Sequence, residues 1–564
     1  MRFARLAAAS AAALMLAACS QKPESDADLA KRAGAPLFKG MGEFHRVVTT
    51  KDPGAQRYFD QGMVLAFGFN HAEAIRSFRA AQKLDPGCAM CFWGEALATG
   101  PNINVTSKGK AIMSPDEQKA AWAALIKAQA QEAGKPDVER DLIDALVKRY
   151  AADPVADRDP LDHAYANALG DLVKKYPNDD DIAAMYSEAW MNTMPWNYWS
   201  DQNTPRPEIV PVIAELETVI ARSPRHPLAL HLYIHAMEAS ATPQKAEKAA
   251  DTLYTLVPGS GHLVHMPAHI FYRVGRYHDA AEANVQAAKV DEDYIHACNA
   301  QGFYPASYYP HNIHFLWSAA TMEGRSKVAI DAARKLAANV RMEQIQQFPA
   351  VEFFHTIPLL ALVQFGHWDE ILAEPQPAAD LAYSNAIWRY ARGVAYASKG
   401  DVKAAKAEEA ALAPLKSNPK VMVIDSNDYP ASQLLDIADD LLLGEIAAAS
   451  KDSKTAIAKF TAAVAGQHAL PYTEPPFWYY PTRQSLGEAL LKAGKAKEAE
   501  AVYRKDLEQY MHNGWSTFGL IQALDAQKDP KKKEEADMLR EHFKGMWSQA
   551  DIELTGSRVT ASPT

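Results

Sequence analysis

Residues 58–86 read YFDQGMVLAFGFNHAEAIRSFRAAQKLDP, and the placing of small and aromatic residues in this stretch decides the fold. Gly62 and Ala74 are small enough to let two successive helices approach closely. Phe78 supplies a ring to fill the gap beside them, and Pro86 cannot continue a helix and so ends the second one.

Outward from this stretch, nearly the whole chain reads as Ala-rich amphipathic helix punctuated by Pro or Gly, an all-α pattern that calls for a search for internal periods. Pro224 and Pro258 lie 34 residues apart and frame a repeat over 227–260, with Ala246 at its centre. The next repeat, 261–294, carries Gly275, Tyr277, Ala280 and Ala287. Further copies start at 310 (Gly324, Ala329), 352 (Gly366), 386 (Gly393, Gly400, Ala405) and 480 (Leu486, Gly487, Gly494, Ala499, Tyr503). Degenerate copies fill 89–210, 437–470 and 512–545.

Tyr58, Gly62, Ala74, Phe78, Ala81 and Pro86 match positions 4, 8, 20, 24, 27 and 32 of the tetratricopeptide repeat (TPR), with departures at Gln61 and Leu65. The chain therefore resembles the TPR family over residues 41–550, with insertions near 99–117 and 294–309 and a polar tail at 551–564. The resemblance implies a solenoid of helical hairpins, a right-handed superhelix with a concave groove in which family members bind peptides or proteins. The aromatic segment 294–309 is placed to fold over that groove, and the aromatic runs WMNTMPWNYW (190–199) and EPPFWYYP (474–481) read as packing between repeats.

The N-terminus, MRFARLAAASAAALMLAACSQKP, has Arg2 and Arg5 before an apolar run from Leu6 to Ala18, too short to span a bilayer but suited to a secretory signal peptide over 1–18. LAAC (16–19) resembles the bacterial lipobox, which implies cleavage before Cys19, acylation (palmitate) of that cysteine, and a lipoprotein anchored to the membrane by its lipid alone. Ser20 in place of Asp implies the outer membrane, with the protein on its periplasmic face. Residues 19–40 then read as a flexible tether. In an oxidising compartment Cys88 and Cys91 are either a short disulfide or two buried thiols at a helix start. A net charge of −10, falling to about −12 on signal removal, argues against nucleic acid, and Lys531 to Lys533 are followed at once by Glu534 and Glu535.

Ten of the 18 histidines lie between 226 and 314. In the TPR register, positions 2, 5, 9 and 12 of the first helix of each repeat face the groove. His231, His235 and Glu238 occupy positions 5, 9 and 12 of one repeat, His262, His265 and His269 positions 2, 5 and 9 of the next, and His311 and His314 positions 2 and 5 of a third. His226, His278 and His296 fall off the pattern.

Three readings of this cluster stay open. In the first it binds a divalent transition metal, zinc, iron or copper, because imidazoles at i and i+4 share an ion and neighbouring helices complete the shell. An open metal position would also activate water, but no substrate is named by any motif. In the second it clamps an anionic ligand, such as the carboxylate of a docked peptide or envelope protein, with Asn312, Arg273, Tyr272 and Tyr308 as further contacts. In the third the rings are packed and hydrogen-bonded without a ligand. Pro267 predicts a kink or restart between His265 and His269 and pushes Met266 from helical geometry, and Pro358 holds the same register. The chain carries no H-E-x-x-H, G-x-S-x-G, phosphate-cradling or dinucleotide motif, and the Asp-rich PNDDD (177–181) reads as a helix start.

Overall fold

The computed structural model describes residues 24–107, 109–300, 302–426 and 429–559. The signal sequence and Cys19 lie outside them. Apart from two short ladders, Thr106–Ser107 with Lys110–Ala111 and Trp199–Asp201 with Thr204–Pro205, the regular structure among the described residues is helical. It is an all-α array of helical hairpins, and none of its helices is long and apolar enough to cross a membrane.

The small–aromatic pattern is the joint of the array. The fully buried ring of Phe78 sits between Gly62 and Gly94, where an added Cβ would lie 2.7 and 2.4 Å from it. Tyr503 fills the same position between Gly487 and Gly519, and Phe460 lies against Gly444. Each ring stands one helix after its first glycine, and Phe78 and Tyr503 also stand one helix before a second, so the same contact recurs at distant points of the solenoid. Cys88 and Cys91 are joined as a disulfide at the start of helix Ala89–Thr99.

The array winds more tightly than the open groove expected from sequence. Helix Pro227–Met237, buried along its whole length, packs against helix Pro53–Phe67 from the first repeat. The described part of the expected tether, residues 24–40, is not loose: helix Asp26–Ala33, capped by Ser25, buries Leu29 and Ala33. The segment after it laces the ring shut. Tyr58 donates to the carbonyl of Ala35 at 2.6 Å, Gly259 N–H donates to Gly40 at 2.8 Å, and Arg46 reaches Asp179 and Asp181 at 2.9 and 2.7 Å. Gly40 has φ +75° and a Cβ there would meet the backbone of Gly259, so this crossing requires glycine.

The C-terminal repeats fold back on the middle ones. Trp515 Nε1 donates to the carbonyl of Thr321 at 3.0 Å, and Gly275, at φ +81°, lies against the carbonyl of Met511. The polar tail is also anchored: Asp551 accepts from the first amides of helix Ser326–Asn339, and buried Arg558 donates to Gln364 at 2.6 Å.

Two local expectations are revised. The surplus residues near 294–309 lengthen a hairpin, helices Tyr277–Cys298 and Phe303–Met322, the second continuing through Pro310, and still bring Tyr304 and Tyr308 against His262. Pro267 does restart a helix, Gly261–His265 giving way to Pro267–Arg273, but Met266 keeps helical angles (φ −52°, ψ −38°). Pro267 and Pro358 stand in the first turn of their segments, where the missing N–H costs nothing.

Candidate metal centre

Four helices and one distant linker build the site. Helix Pro227–Met237 carries His231 and His235, with Glu238 just beyond its end; the pair Gly261–His265 and Pro267–Arg273 carries His262, His265 and His269; helix Phe303–Met322 carries His311. The linker between helices Ser453–His468 and Arg483–Lys492 brings in Glu474. The ligand-capable atoms form three groups, each within 4.8 Å: His231, His235 and His262; His265, His269 and His311; and Glu238, His269 and Glu474. All but His311 are buried.

The hydrogen bonds select which ring nitrogen faces inward. Nδ1 of His231 donates to the carbonyl of Phe67 at 2.7 Å, Nδ1 of His235 to Glu238 Oε1 at 2.8 Å, and Nδ1 of His265 to Asn284 Oδ1 at 2.7 Å. With Nδ1 protonated, each ring holds its lone pair on Nε2. Nε2 of His231, Nε2 of His235 and both nitrogens of His262 are buried with no hydrogen-bond partner in the protein. Nε2 of His265 meets Nε2 of His269 at 2.9 Å. Orphaned polar atoms of this kind are rare in a protein interior, and an imidazole fixed through Nδ1 by a carbonyl or carboxylate is the arrangement that surrounds protein-bound metals.

Aromatic rings close the site. Phe69 stacks on His262 at 5.3 Å and on His235 at 6.1 Å, Trp196 meets His235 edge-on at 5.1 Å, Tyr308 lies 4.6 Å from His262, and Phe315 covers His265 and His269. Phe69 and Trp196 both hold left-handed backbone angles, φ 56° and 62°. That conformation costs a non-glycine residue of order 1 kcal/mol and persists only where the surroundings enforce it.

Burial among apolar rings pushes His231, His262, His265 and His311 well below the ordinary imidazole range, and neighbouring imidazoles add to the effect. These rings are neutral at pH 7, the form that ligates metal. His269 differs. Burial disfavours its charge, but Glu238 and Glu474 outweigh burial and raise it to about 10. Burial likewise opposes charge on Glu238, yet His269 and His235 hold it down to about 2.

Of the eight residues expected at a metal site, seven converge. His314 does not: its ring stacks on Trp317 at 5.3 Å and faces Phe353 and Phe354, and burial lowers it to about 3. The expected anion contacts are occupied by the protein itself. Arg273 donates to the carbonyls of Glu238 and Ser240, Asn312 to Asp291, Tyr272 accepts from Ser318, and Tyr308 is bonded to Asn102 and Asn104. The residues beside these contacts are two carboxylates, Glu238 and Glu474, and mostly neutral imidazoles. Glu474, Phe69 and Asn284 escape sequence reasoning. His226 and His278 pair with Asp181 and Glu323, away from the centre.

Neither a protein-family model nor a curated protein matches the chain. Solved structures similar to it include an APC/C hetero-tetramer of Cut9 and Hcn1 (13% identity, TM-score 0.29, covering 88% of this chain and 76% of that one). Yeast Tom70 is 11% identical with a TM-score of 0.27, over 88% of this chain and 89% of that one. The TPR domain of P58(IPK) is 11% identical with a TM-score of 0.21, over 84% of this chain and 98% of that one. The repeat fold itself rests on the packing of Phe78, Phe460 and Tyr503 described above.

Proposed function

We propose that the protein is an exported, lipid-anchored helical-repeat protein whose tightly wound array holds a buried centre for divalent transition metals. One ion would sit on His231, His235 and His262 and a second on His265, His269 and His311. The observation that carries this reading is the set of fixed tautomers: the protein binds Nδ1 of His231, His235 and His265, leaves Nε2 of His231 and His235 buried without a partner, and turns Nε2 of His265 toward Nε2 of His269. All-nitrogen triads suit zinc, copper or iron, and not calcium or magnesium, which require oxygen shells.

Cys19, followed by Ser20, supports attachment to the outer membrane with the array on the periplasmic side. Solenoids of this type offer extended surfaces to partner proteins. Because the inner face between 227 and 320 is filled by side chains, a docked peptide or envelope protein would meet other faces of the array.

The test is metal analysis of the purified mature protein, as isolated and after reconstitution. About two equivalents of a transition metal support the reading. Less than about a tenth of an equivalent after reconstitution removes it, leaving a scaffold with packed histidines.

A further inference from the structure

Six imidazoles in a closed interior raise the question of how an ion reaches them. Most of the surrounding wall is aromatic. On one side, however, the linker at 470–482 places Tyr472 and Glu474 against the site. Tyr472 is 39% exposed and Glu474 is 7% exposed, and the Tyr472 hydroxyl donates to Glu474 Oε1. The guanidinium of Arg273 lies over the Tyr472 ring at 5.5 Å and fixes its position. Behind Glu474, its Oε2 lies 3.3 Å from Nδ1 of His269, and Glu238 Oε2 approaches the same nitrogen at 2.5 Å. Ion pairing holds these three atoms together without a hydrogen bond of proper direction between them, so three potential ligand atoms converge.

Resting on the metal-centre reading above, we infer that Glu474, Glu238 and His269 Nδ1 form a separate, mixed oxygen–nitrogen site that captures a divalent cation on its way to the imidazole triads. Glu474 lies behind the partly exposed Tyr472, and the two carboxylates supply the negative charge that the triads lack. A partly desolvated dication entering past Tyr472 would meet Glu474 before His269.

His269 makes the two positions alternatives. The arriving cation displaces to solvent the Nδ1 proton that His269 holds against Glu238 and Glu474, and the neutral imidazole that is left carries one lone pair. With the cation on Nδ1, the proton is on Nε2 and is donated to Nε2 of His265, the 2.9 Å contact seen in the structure. With the cation on Nε2, in the triad with His265 and His311, the proton is on Nδ1 and is donated to Glu238. Moving one proton across the ring therefore empties the capture site as the triad fills. Glu238 ends as acceptor for both His235 and His269, and Glu474 ends with no ligand role. Glu474 is thus needed for passage but not for final affinity.

The experiment follows cobalt(II) binding to the full mature chain by its visible absorbance, in wild type and in Glu474→Gln and Tyr472→Phe variants, with helicity and melting as controls for folding. In Glu474→Gln, uptake and chelator-driven release should slow by the same factor, about tenfold or more, with the final number of ions unchanged and Kd within about threefold. Tyr472→Phe, which keeps the carboxylate, should slow both by a smaller factor. Loss of an ion or a Kd weakened about tenfold or more in Glu474→Gln would make Glu474 a resident ligand and overturn the inference, as would unchanged rates. If wild type takes up no cobalt, zinc or copper, the metal-centre reading itself fails, and the inference falls with it.

Discussion

His265 and His269 face each other through Nε2 at a separation of 2.9 Å, although His265 already donates from Nδ1 to Asn284. One of the two facing nitrogens must therefore hold a proton that a bound ion would displace. His265→Ala should reduce bound metal by about one equivalent and leave the ion on His231, His235 and His262 in place. His262→Ala should do the converse. Elemental analysis of both variants decides the matter, and a loss of both ions from either one would show a single shared site.

Glu238 touches His235 with one oxygen and His269 with the other, all three side chains being buried. Glu238→Gln keeps the shape but leaves His269 charged against one carboxylate or forces it neutral. Removing one partner of a buried pair typically costs about 3–5 kcal/mol, so the apo protein should melt several degrees lower. Loss of a carboxylate behind two ligating rings should also weaken metal binding about 10–100-fold. Calorimetry on apo and metal-loaded protein separates the effects. An unchanged apo melting temperature would mean that the pair contributes nothing net.

The repeat joints make a prediction free of any metal. Gly62→Ala and Gly487→Ala place a methyl within 3 Å of the rings of Phe78 and Tyr503 and should each destabilise by about 1–3 kcal/mol. Gly545→Ala, in helix Pro530–Met546 with open space around it, should be neutral or stabilise by up to about 1 kcal/mol. Chemical denaturation of the three variants checks this, and equal losses in all three would remove the joint as an explanation.

How far the sequence reached follows from the same residues. The joints were legible because Gly62 and Phe78 must recur at fixed separation for hairpins to stack. His231, His235, Glu238, His262, His265, His269 and His311 were legible because that register aims one helix face inward. His314 failed the same rule. It is a turn away from His311 on a helix that begins at Phe303, and Trp317 and Phe354 draw its ring toward the neighbouring repeat. Glu474 was hidden because it sits outside any helix, in a stretch that reads as linker, far along the chain from its partners. Closure of the groove was hidden for a related reason. It depends on Arg46, Gly40 and the C-terminal residues Asp551 and Arg558, whose contacts have no period.

The lipid anchor is tested separately from the fold. Cys19→Ser should move the protein from the membrane fraction to the soluble periplasmic fraction without altering metal content or melting temperature. The described array begins beyond Cys19, and its N-terminal helix is held by its own contacts through Leu29 and Ala33. Retention in the membrane fraction would require an attachment other than the lipid.

A pH dependence is expected from a residue far from the histidines. Asp506 is fully buried, accepts from Ser516 Oγ at 2.5 Å, and is raised from its ordinary 3.8 to about 7, with burial the dominant cause and the Ser516 bond opposing it. Between these two values the folded protein binds a proton that the unfolded chain does not. Stability from this group is therefore full below about pH 4 and declines as pH rises to about 7, above which the deficit stays constant. The slope is about 1.4 kcal/mol per pH unit, so wild type should lose roughly 2 kcal/mol between pH 5.5 and 7 through Asp506 alone. Asp506→Asn, which stays neutral, should lose that much less over the same interval. Denaturation midpoints of the two proteins at both pH values give the comparison directly, with other titrating groups cancelling. Identical pH dependence in wild type and variant would show that Asp506 is ionised in the folded protein despite its burial.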